Sequence, residues 1–94
     1  MLFGVGRFIP AAQSVQTKEY TIFVELLSEV RQRFGLSQDQ LAKRLPFRQV
    51  AISKIERGRR RVDIIELRMI CDSLGIELSE FITELEGRLA KNCV

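Results

Sequence analysis

The sequence predicts an all-α fold, a compact bundle of five helices that follows a short N-terminal arm. Apolar residues recur at helical spacing over most of the chain after residue 16. Capping residues, glycines and prolines separate these periodic segments, and no segment alternates as a strand does. Because 94 residues suffice for about one small domain, we expect an arm at residues 1–16 and a single helical domain at residues 17–94.

The first helix follows an arm that shows no helical period. Residues 1–16 contain Gly, Pro, Ala, Gln and Ser, and we predict that they are extended or disordered. Thr17 is a suitable N-cap, because its hydroxyl can accept a backbone hydrogen bond, and Gly35 is a suitable stop signal. Between them, one helical face carries Tyr20, Phe23, Val24, Leu27, Val30 and Phe34.

Two short helices come next, separated by few residues. Ser37 and Gln40 have the spacing of a capping box that starts helix two, and Pro46 is predicted to end it. Helix three is predicted from about Arg48 to Arg57, with Gly58 after its end. Two helices this short and this close in sequence are typical of a helix-turn-helix. The predicted inner faces are Leu41, Ala42 and Leu45 in helix two and Ala51, Ile52 and Ile55 in helix three.

The last two helices complete the predicted bundle. Asp63 and Glu66 form a second capping box, which starts helix four, and Gly75 closes that helix. Helix five begins near Leu78. The predicted inward-facing residues are Leu67, Ile70, Cys71 and Leu74 in helix four and Leu78, Phe81, Ile82, Leu85 and Leu89 in helix five.

Charge is concentrated in two adjacent segments. The net charge is only +3, but residues 43–61 hold eight lysines and arginines against one acid, Glu56. Residues 62–86 hold seven acids against one base, Arg68. A basic centre beside an acidic segment is typical of a protein that docks on a polyanion through one face. The alternative interpretation is an ordinary solvated charged surface.

The composition argues against an enzyme, a metal site and a bound cofactor. There is no histidine, which removes the commonest general base and every histidine-ligated metal site. Cys71 and Cys93 form no Cys-x-x-Cys motif, and no glycine-rich phosphate loop is present. No segment reaches the roughly 18 apolar residues that span a bilayer. We therefore expect a cytoplasmic protein without catalytic activity, cofactor or membrane contact.

Three stretches of the chain carry a resemblance to a known family. The segments Ser37 to Ala42 (SQDQLA), Ile52 to Gly58 (ISKIERG) and Gly75 to Ser79 (GIELS) closely resemble the phage-repressor-like, XRE-type helix-turn-helix family. They occur in the family's order and spacing, and the similarity covers roughly residues 20 to 85. The resemblance implies a sequence-specific transcriptional regulator, in the form of a repressor, that binds a palindromic DNA operator as a homodimer.

The resemblance and the helical spacing together predict the DNA contacts. In such folds helix three lies in the major groove and helix two crosses the phosphate backbone. The predicted base contacts, on the open side or N-terminal end of helix three, are Arg48, Gln49, Val50, Ser53 and Lys54. The predicted phosphate contacts, by family position or because they follow helix three, are Gln38, Arg57, Arg59, Arg60 and Arg61. The alternative is that these are ordinary solvated residues and that the arginines only raise solubility.

Two further residues are assigned a structural role by family position. Glu56 is predicted to pair with Arg31 of helix one, since an arginine fork fits a carboxylate bidentately. A base-reading role for Glu56 is the alternative. Pro46 stands where the family often has glycine, so the turn must take another conformation there. Phe47 is predicted to be a core anchor.

The last helix offers a candidate dimer interface. Its apolar stripe extends beyond what a five-helix core usually needs, and the predicted interface residues are Leu78, Ile82, Leu85 and Leu89. The alternative is that this stripe completes the core of the monomer. A rival function is that of a protein-interaction module, such as an antitoxin, whose main partner is a protein that binds the acidic segment 62–86.

Overall fold

The computed structural model describes residues 17–92, and it confirms the predicted all-α architecture. The five helices are α1 (Lys18–Arg33), α2 (Gln38–Ala42), α3 (Gln49–Glu56), α4 (Ile64–Leu74) and α5 (Leu78–Asn92). Between residues 17 and 92 there is no β-strand. The predicted arm at residues 1–16 lies outside the described residues, and so does Cys93.

The helices begin where the capping residues predict. The Ser37 side chain and the Gln40 side chain satisfy each other's backbone N–H groups at the start of α2, and Asp63 and Glu66 do the same at the start of α4. Thr17 caps α1 through its hydroxyl. These reciprocal bonds satisfy donors that have no partner inside the helix, so the local sequence fixes where each helix starts.

The core is one cluster to which all five helices contribute. Its fully buried members include Leu26, Val30, Ile55, Ile70 and Phe81. The predicted inner faces of α3 and α4 are confirmed at Ile52, Ile55, Leu67, Ile70, Cys71 and Leu74. Burial raises the pKa of Cys71 to about 11, and the nearby Asp72 carboxylate adds to this shift. The thiol is therefore a packing group that stays protonated at neutral pH.

The predicted face of α1 was partly wrong. Leu26 and Ile22, which the single-face interpretation left out, are buried at 0% and 9% exposure. Phe34, which was predicted to face inward, is 45% exposed. Helix α1 packs against both α3 and α5 and therefore buries a wider face than one stripe. Phe34 is the C-cap residue beyond the last helical turn, so its side chain leaves that face.

Helix α2 is shorter than predicted. We expected it to continue to Pro46, but it ends at Ala42 and is followed by turns in which Arg44 and Leu45 donate to Leu41 and Ala42. Proline restricts the residue before it to extended geometry, so the helix cannot run up to Pro46. Among residues 17–92 only glycines have positive φ, so the turn between α2 and α3 contains no left-handed residue.

The end of α5 is held to α1 by ion pairs across the surface. Arg88 donates to Glu29 at 2.8 Å, and Arg33 donates to Glu84 at 3.0 Å. Hydrogen bonds from Arg88 and Arg33 lower the pKa values of Glu29 and Glu84 from their ordinary value of 4.5.

No helix within the described part of the chain is long and apolar enough to cross a membrane.

Candidate nucleic-acid interface

Helix α3 is half buried and half presented to solvent. Ile52 and Ile55 are at most 2% exposed, and they anchor the helix against α1 and α2. The opposite side carries the predicted base-contacting residues. Arg48, Gln49, Val50 and Lys54 are exposed and Ser53 is half-buried. The helix therefore offers a mostly polar surface that the other residues between 17 and 92 leave uncovered.

A buried ion pair fixes α3 to α1. Arg31 donates from Nε to Glu56 Oε2 at 2.6 Å and from Nη2 to Oε1 at 2.9 Å. A third donor of Arg31, Nη1, bonds to the carbonyl oxygen of Leu36 at 2.6 Å. The two side chains are only 10% and 6% exposed. This is the bidentate contact between Arg31 and Glu56 that the sequence predicts, and it sets the position of the last turn of α3.

The Gln38 side chain, a predicted phosphate contact, bonds to two other side chains of the fold. Its side-chain Nε2 donates to Glu56 Oε1 at 3.0 Å, and its Oε1 accepts from Gln49 Nε2 at 2.9 Å. The half-buried Gln38 therefore links the buried ion pair to the exposed end of α3. Sequence reasoning missed this link, although both glutamines stand at the first position of a helix.

Chemistry fixes which group donates and which accepts in the two hydrogen bonds that link Gln49, Gln38 and Glu56. An ionised carboxylate only accepts hydrogen bonds, so Gln38 must turn its amide N–H₂ group toward Glu56. Its oxygen then faces Gln49, and Gln49 must donate in return. One N–H of the Gln49 amide is used in this bond. The amide oxygen and the second N–H are left to bond with other partners. The buried Glu56 thereby sets the orientation in which Gln49 meets solvent.

The arginines after α3 fall into two groups. Arg57, Arg59 and Arg61 are exposed, and the guanidinium of Arg61 lies 6.0 Å from the centre of the Tyr20 ring. Gly58, at φ +73°, takes the left-handed conformation that glycine accepts without strain, directly after the end of α3. The exposed side chains extend the polar surface of α3 with positive charge.

Arg60 lies against the protein itself. Its guanidinium stacks 5.4 Å from the centre of the Phe47 ring, and Nη2 donates to Glu66 at 3.1 Å. Phe47 in turn packs on the core, as the sequence predicts. The Arg60 guanidinium is thus held by two contacts inside the chain, and its phosphate contact stays a prediction.

The predicted dimer residues of α5 are largely used inside the chain. Leu78, Ile82 and Leu85 pack partly buried against the core, and Leu89 is half-buried near the end of the helix. Three of the four residues thus serve the core. All four residues stay partly exposed, and the dimer interface on α5 stays a prediction.

The fold and the surface together define a class of protein. Two short helices meet at a tight turn, and the second exposes a polar side that is followed by arginines, which is the arrangement of a helix-turn-helix module. A family model described as helix-turn-helix matches residues 27–81, which is more than half of the chain. The chain belongs to the XRE-type helix-turn-helix family of DNA-binding transcriptional regulators.

Individual relatives are similar over the same region. Control protein C.MunI of a Mycoplasma species is 34% identical over 56 residues, which are 60% of this chain and 76% of the relative. The uncharacterised HTH-type transcriptional regulator y4dJ of Sinorhizobium fredii is also 34% identical over 56 residues, which are 60% of this chain and 73% of the relative.

Solved structures share the fold over most of the described chain. An XRE-family like protein from Pseudomonas syringae pv. tomato matches with a TM-score of 0.72 at 32% identity. The match covers 83% of this chain and 95% of that protein's chain. A variant of the restriction-modification controller protein C.Esp1396I matches with a TM-score of 0.75 at 25% identity. The match covers 81% of this chain and 99% of that protein's chain.

Proposed function

We propose that this protein is a sequence-specific transcriptional repressor that binds a palindromic double-stranded DNA operator as a homodimer. In this proposal α3 enters the major groove and the exposed side of the helix reads base edges. A bound dimer would cover the promoter and exclude the transcription machinery. Relatives that are named as controller proteins support a role in gene control, and a restriction-modification system is the kind of target that their names suggest.

The observation that carries the proposal is the oriented amide of Gln49 on an exposed helix. Its remaining oxygen can accept from adenine N6 while its remaining N–H donates to adenine N7. Guanine presents two acceptors, O6 and N7, at the same edge and would require two donors. Because Gln49 donates one N–H to Gln38, which in turn donates to Glu56, the groups left on Gln49 favour adenine opposite it.

The remaining exposed residues of α3 supply complementary contacts. Arg48 and Lys54 can donate to guanine, and Val50, which is 51% exposed, can contact a thymine methyl group. Ser53 can bond to a base or to a phosphate. These contacts follow the same helix face, so they would be made together as the helix enters the groove.

The backbone contacts in this proposal come from the exposed arginines. Arg57, Arg59 and Arg61 follow α3 directly and can neutralise phosphates beside the groove. Arg60 contributes less, because its guanidinium is engaged by Glu66 and Phe47. Phosphate contacts position the protein and add affinity that is independent of sequence.

The rival function as a protein-binding module has weaker support. Much of the acidic segment 62–86 serves the fold. Asp63, Glu66 and Glu80 accept backbone N–H groups at helix starts, and Glu84 pairs with Arg33 and Arg88. An acidic docking surface would need these carboxylates to be available.

Selection of bound duplexes from a random pool, followed by a mobility-shift assay, tests the proposal. We expect a palindromic consensus, and we expect the double variant Arg57→Ala/Arg59→Ala to bind every duplex more weakly, with a salt slope reduced by about two per protomer. Lys91→Ala, an exposed charge on α5, is the matched control and should bind as the wild type does. Failure of the wild type to bind any duplex at low salt would contradict the proposal.

A further inference from the structure

Helix α3 starts without the kind of cap that secures three of the other helices. Thr17, Ser37 and Asp63 each accept a backbone N–H group at the start of α1, α2 and α4. The N-cap of α3 is Arg48, whose side chain forms no capping hydrogen bond within residues 17–92. This end of α3 carries Arg48 and Gln49, which read bases in the proposed function. Contacts other than a local cap must therefore hold it in place.

Phe47, the residue directly before Arg48, supplies one of these contacts. Its side chain is half-buried and packs against the hydrophobic core. The guanidinium of Arg60 lies over the Phe47 ring, 5.4 Å from its centre. An arginine in this position is attracted by the negative face of the ring, and the attraction is stronger where water is excluded. Because Phe47 adjoins the N-cap, a shift of its ring would displace the first turn of α3.

Arg60 is itself fixed by α4 and by the other end of α3. Its Nη2 donates to Glu66 Oε2 at 3.1 Å, and Glu66 Oε1 accepts from the backbone N–H of Asp63 at 3.2 Å. The backbone N–H of Arg60 donates at 3.3 Å to the carbonyl oxygen of Lys54, in the last turn of α3. Its Nη1 is buried as well. Arg60 therefore links the start of α4 to the residue before α3 and to the last turn of α3.

We propose that Arg60 is a positioning residue for base recognition, which holds the N-terminal end of α3 in place through Phe47. The inference rests on the proposed function, because it concerns the helix that reads the operator there. The guanidinium is occupied by Phe47 and Glu66, so it acts on the operator through Arg48 and Gln49. Lysine would not replace it, because an ammonium group lacks the flat fork that stacks on a ring while it bonds to a carboxylate.

A positioning role and a phosphate contact of Arg60 predict different results. A phosphate contact adds affinity for every duplex alike and raises the salt slope by about one. A positioning residue changes the preference among bases, and substitution of its uncharged partner Phe47 has the same effect. Phe47→Leu keeps an apolar side chain on the core and removes the ring, whereas Arg60→Lys keeps the charge and removes the flat guanidinium.

Titration of wild type, Phe47→Leu, Arg60→Lys and the double variant on operators with single base-pair replacements tests the proposal. Each single variant should discriminate at the Gln49 base at least about threefold less than the wild type, with an unchanged salt slope. The double variant should lose no more than either single variant, because both substitutions remove the same contact. Base preferences equal to those of the wild type, or two losses that add, would overturn the proposal.

Phe34→Leu is the matched control for this experiment. It makes the same change as Phe47→Leu at a phenylalanine that is 45% exposed beyond the end of α1. It should leave every base preference unchanged. Thermal unfolding followed by circular dichroism shows that each variant is folded.

Backbone hydrogen exchange without DNA, followed by NMR, tests the same contact independently. The amides of Ala51 and Ile52 donate to the Arg48 carbonyl oxygen in the first turn of α3, at 2.9 and 3.2 Å. In Phe47→Leu and Arg60→Lys they should exchange at least about fivefold faster relative to the Leu41 amide, which forms the corresponding bond in α2. Exchange at the wild-type rate, or equal acceleration at Leu41, would overturn the proposal. These outcomes do not depend on DNA, so a failure of the DNA-binding proposal would be seen separately in the mobility-shift assay.

Discussion

Replacing Glu56 with alanine is expected to lower the free energy of unfolding by about 3–5 kcal/mol. The substitution removes the acceptor of two hydrogen bonds from Arg31 and leaves that guanidinium charged and almost fully buried. It also removes the acceptor of the Gln38 amide. A small domain is stable by only about 5–15 kcal/mol, so the variant should unfold at much lower temperature or denaturant concentration.

Urea denaturation followed by circular dichroism measures this loss. Glu84→Ala is the matched control, because Glu84 also accepts from two arginines but lies at the surface, where such pairs contribute about 1 kcal/mol or less. A Glu56→Ala protein within 1 kcal/mol of the wild type would show that the buried pair is not what holds α3 in place.

Raising the salt concentration from 50 to 200 mM is expected to weaken operator binding by about 10³-fold. The proposed contacts of Arg57, Arg59 and Arg61 neutralise three phosphates in each protomer and therefore about six in a dimer. Each neutralised phosphate releases condensed counterions, and the release becomes less favourable as the salt concentration rises.

Fluorescence anisotropy titrations of a labelled operator over a range of salt concentrations give the slope. A plot of the logarithm of the binding constant against the logarithm of the salt concentration should have a slope of about −5. A slope flatter than about −2 would mean that the exposed arginines do not contact the backbone, whatever the helix does in the groove.

Local signals in the sequence were enough to predict the helices and most of the core. Capping boxes act over three residues, and apolar spacing reports one buried face, so both can be read without knowing the rest of the fold. The prediction failed where one element meets several others. Helix α1 buries Leu26 because it packs against two other helices, which periodicity along a single helix does not reveal. Phe34 is exposed because it lies beyond the last helical turn.

The side-chain partners at the interface could be predicted only in part. The Arg31–Glu56 pair follows from the family resemblance, and the structure has it. The phosphate contacts of Gln38 and Arg60 stay predictions, and the sequence did not predict the bonds inside the chain that Gln38 forms with Glu56 and Gln49 and that Arg60 forms with Glu66. Which partner a polar side chain bonds to depends on the distances between helices. These distances are set by the whole fold and cannot be read from the local sequence.

The most direct test of a base-reading α3 is to compare wild type and Gln49→Ala on a panel of operators. Each base pair of the selected operator is replaced in turn, and the affinity of both proteins is measured on every member. The wild type should lose about 1–3 kcal/mol when one particular adenine is replaced, and Gln49→Ala should be indifferent at that position while it keeps the other preferences. Equal base preferences of the two proteins at every position would contradict the account, because an exposed and oriented Gln49 would then read no base.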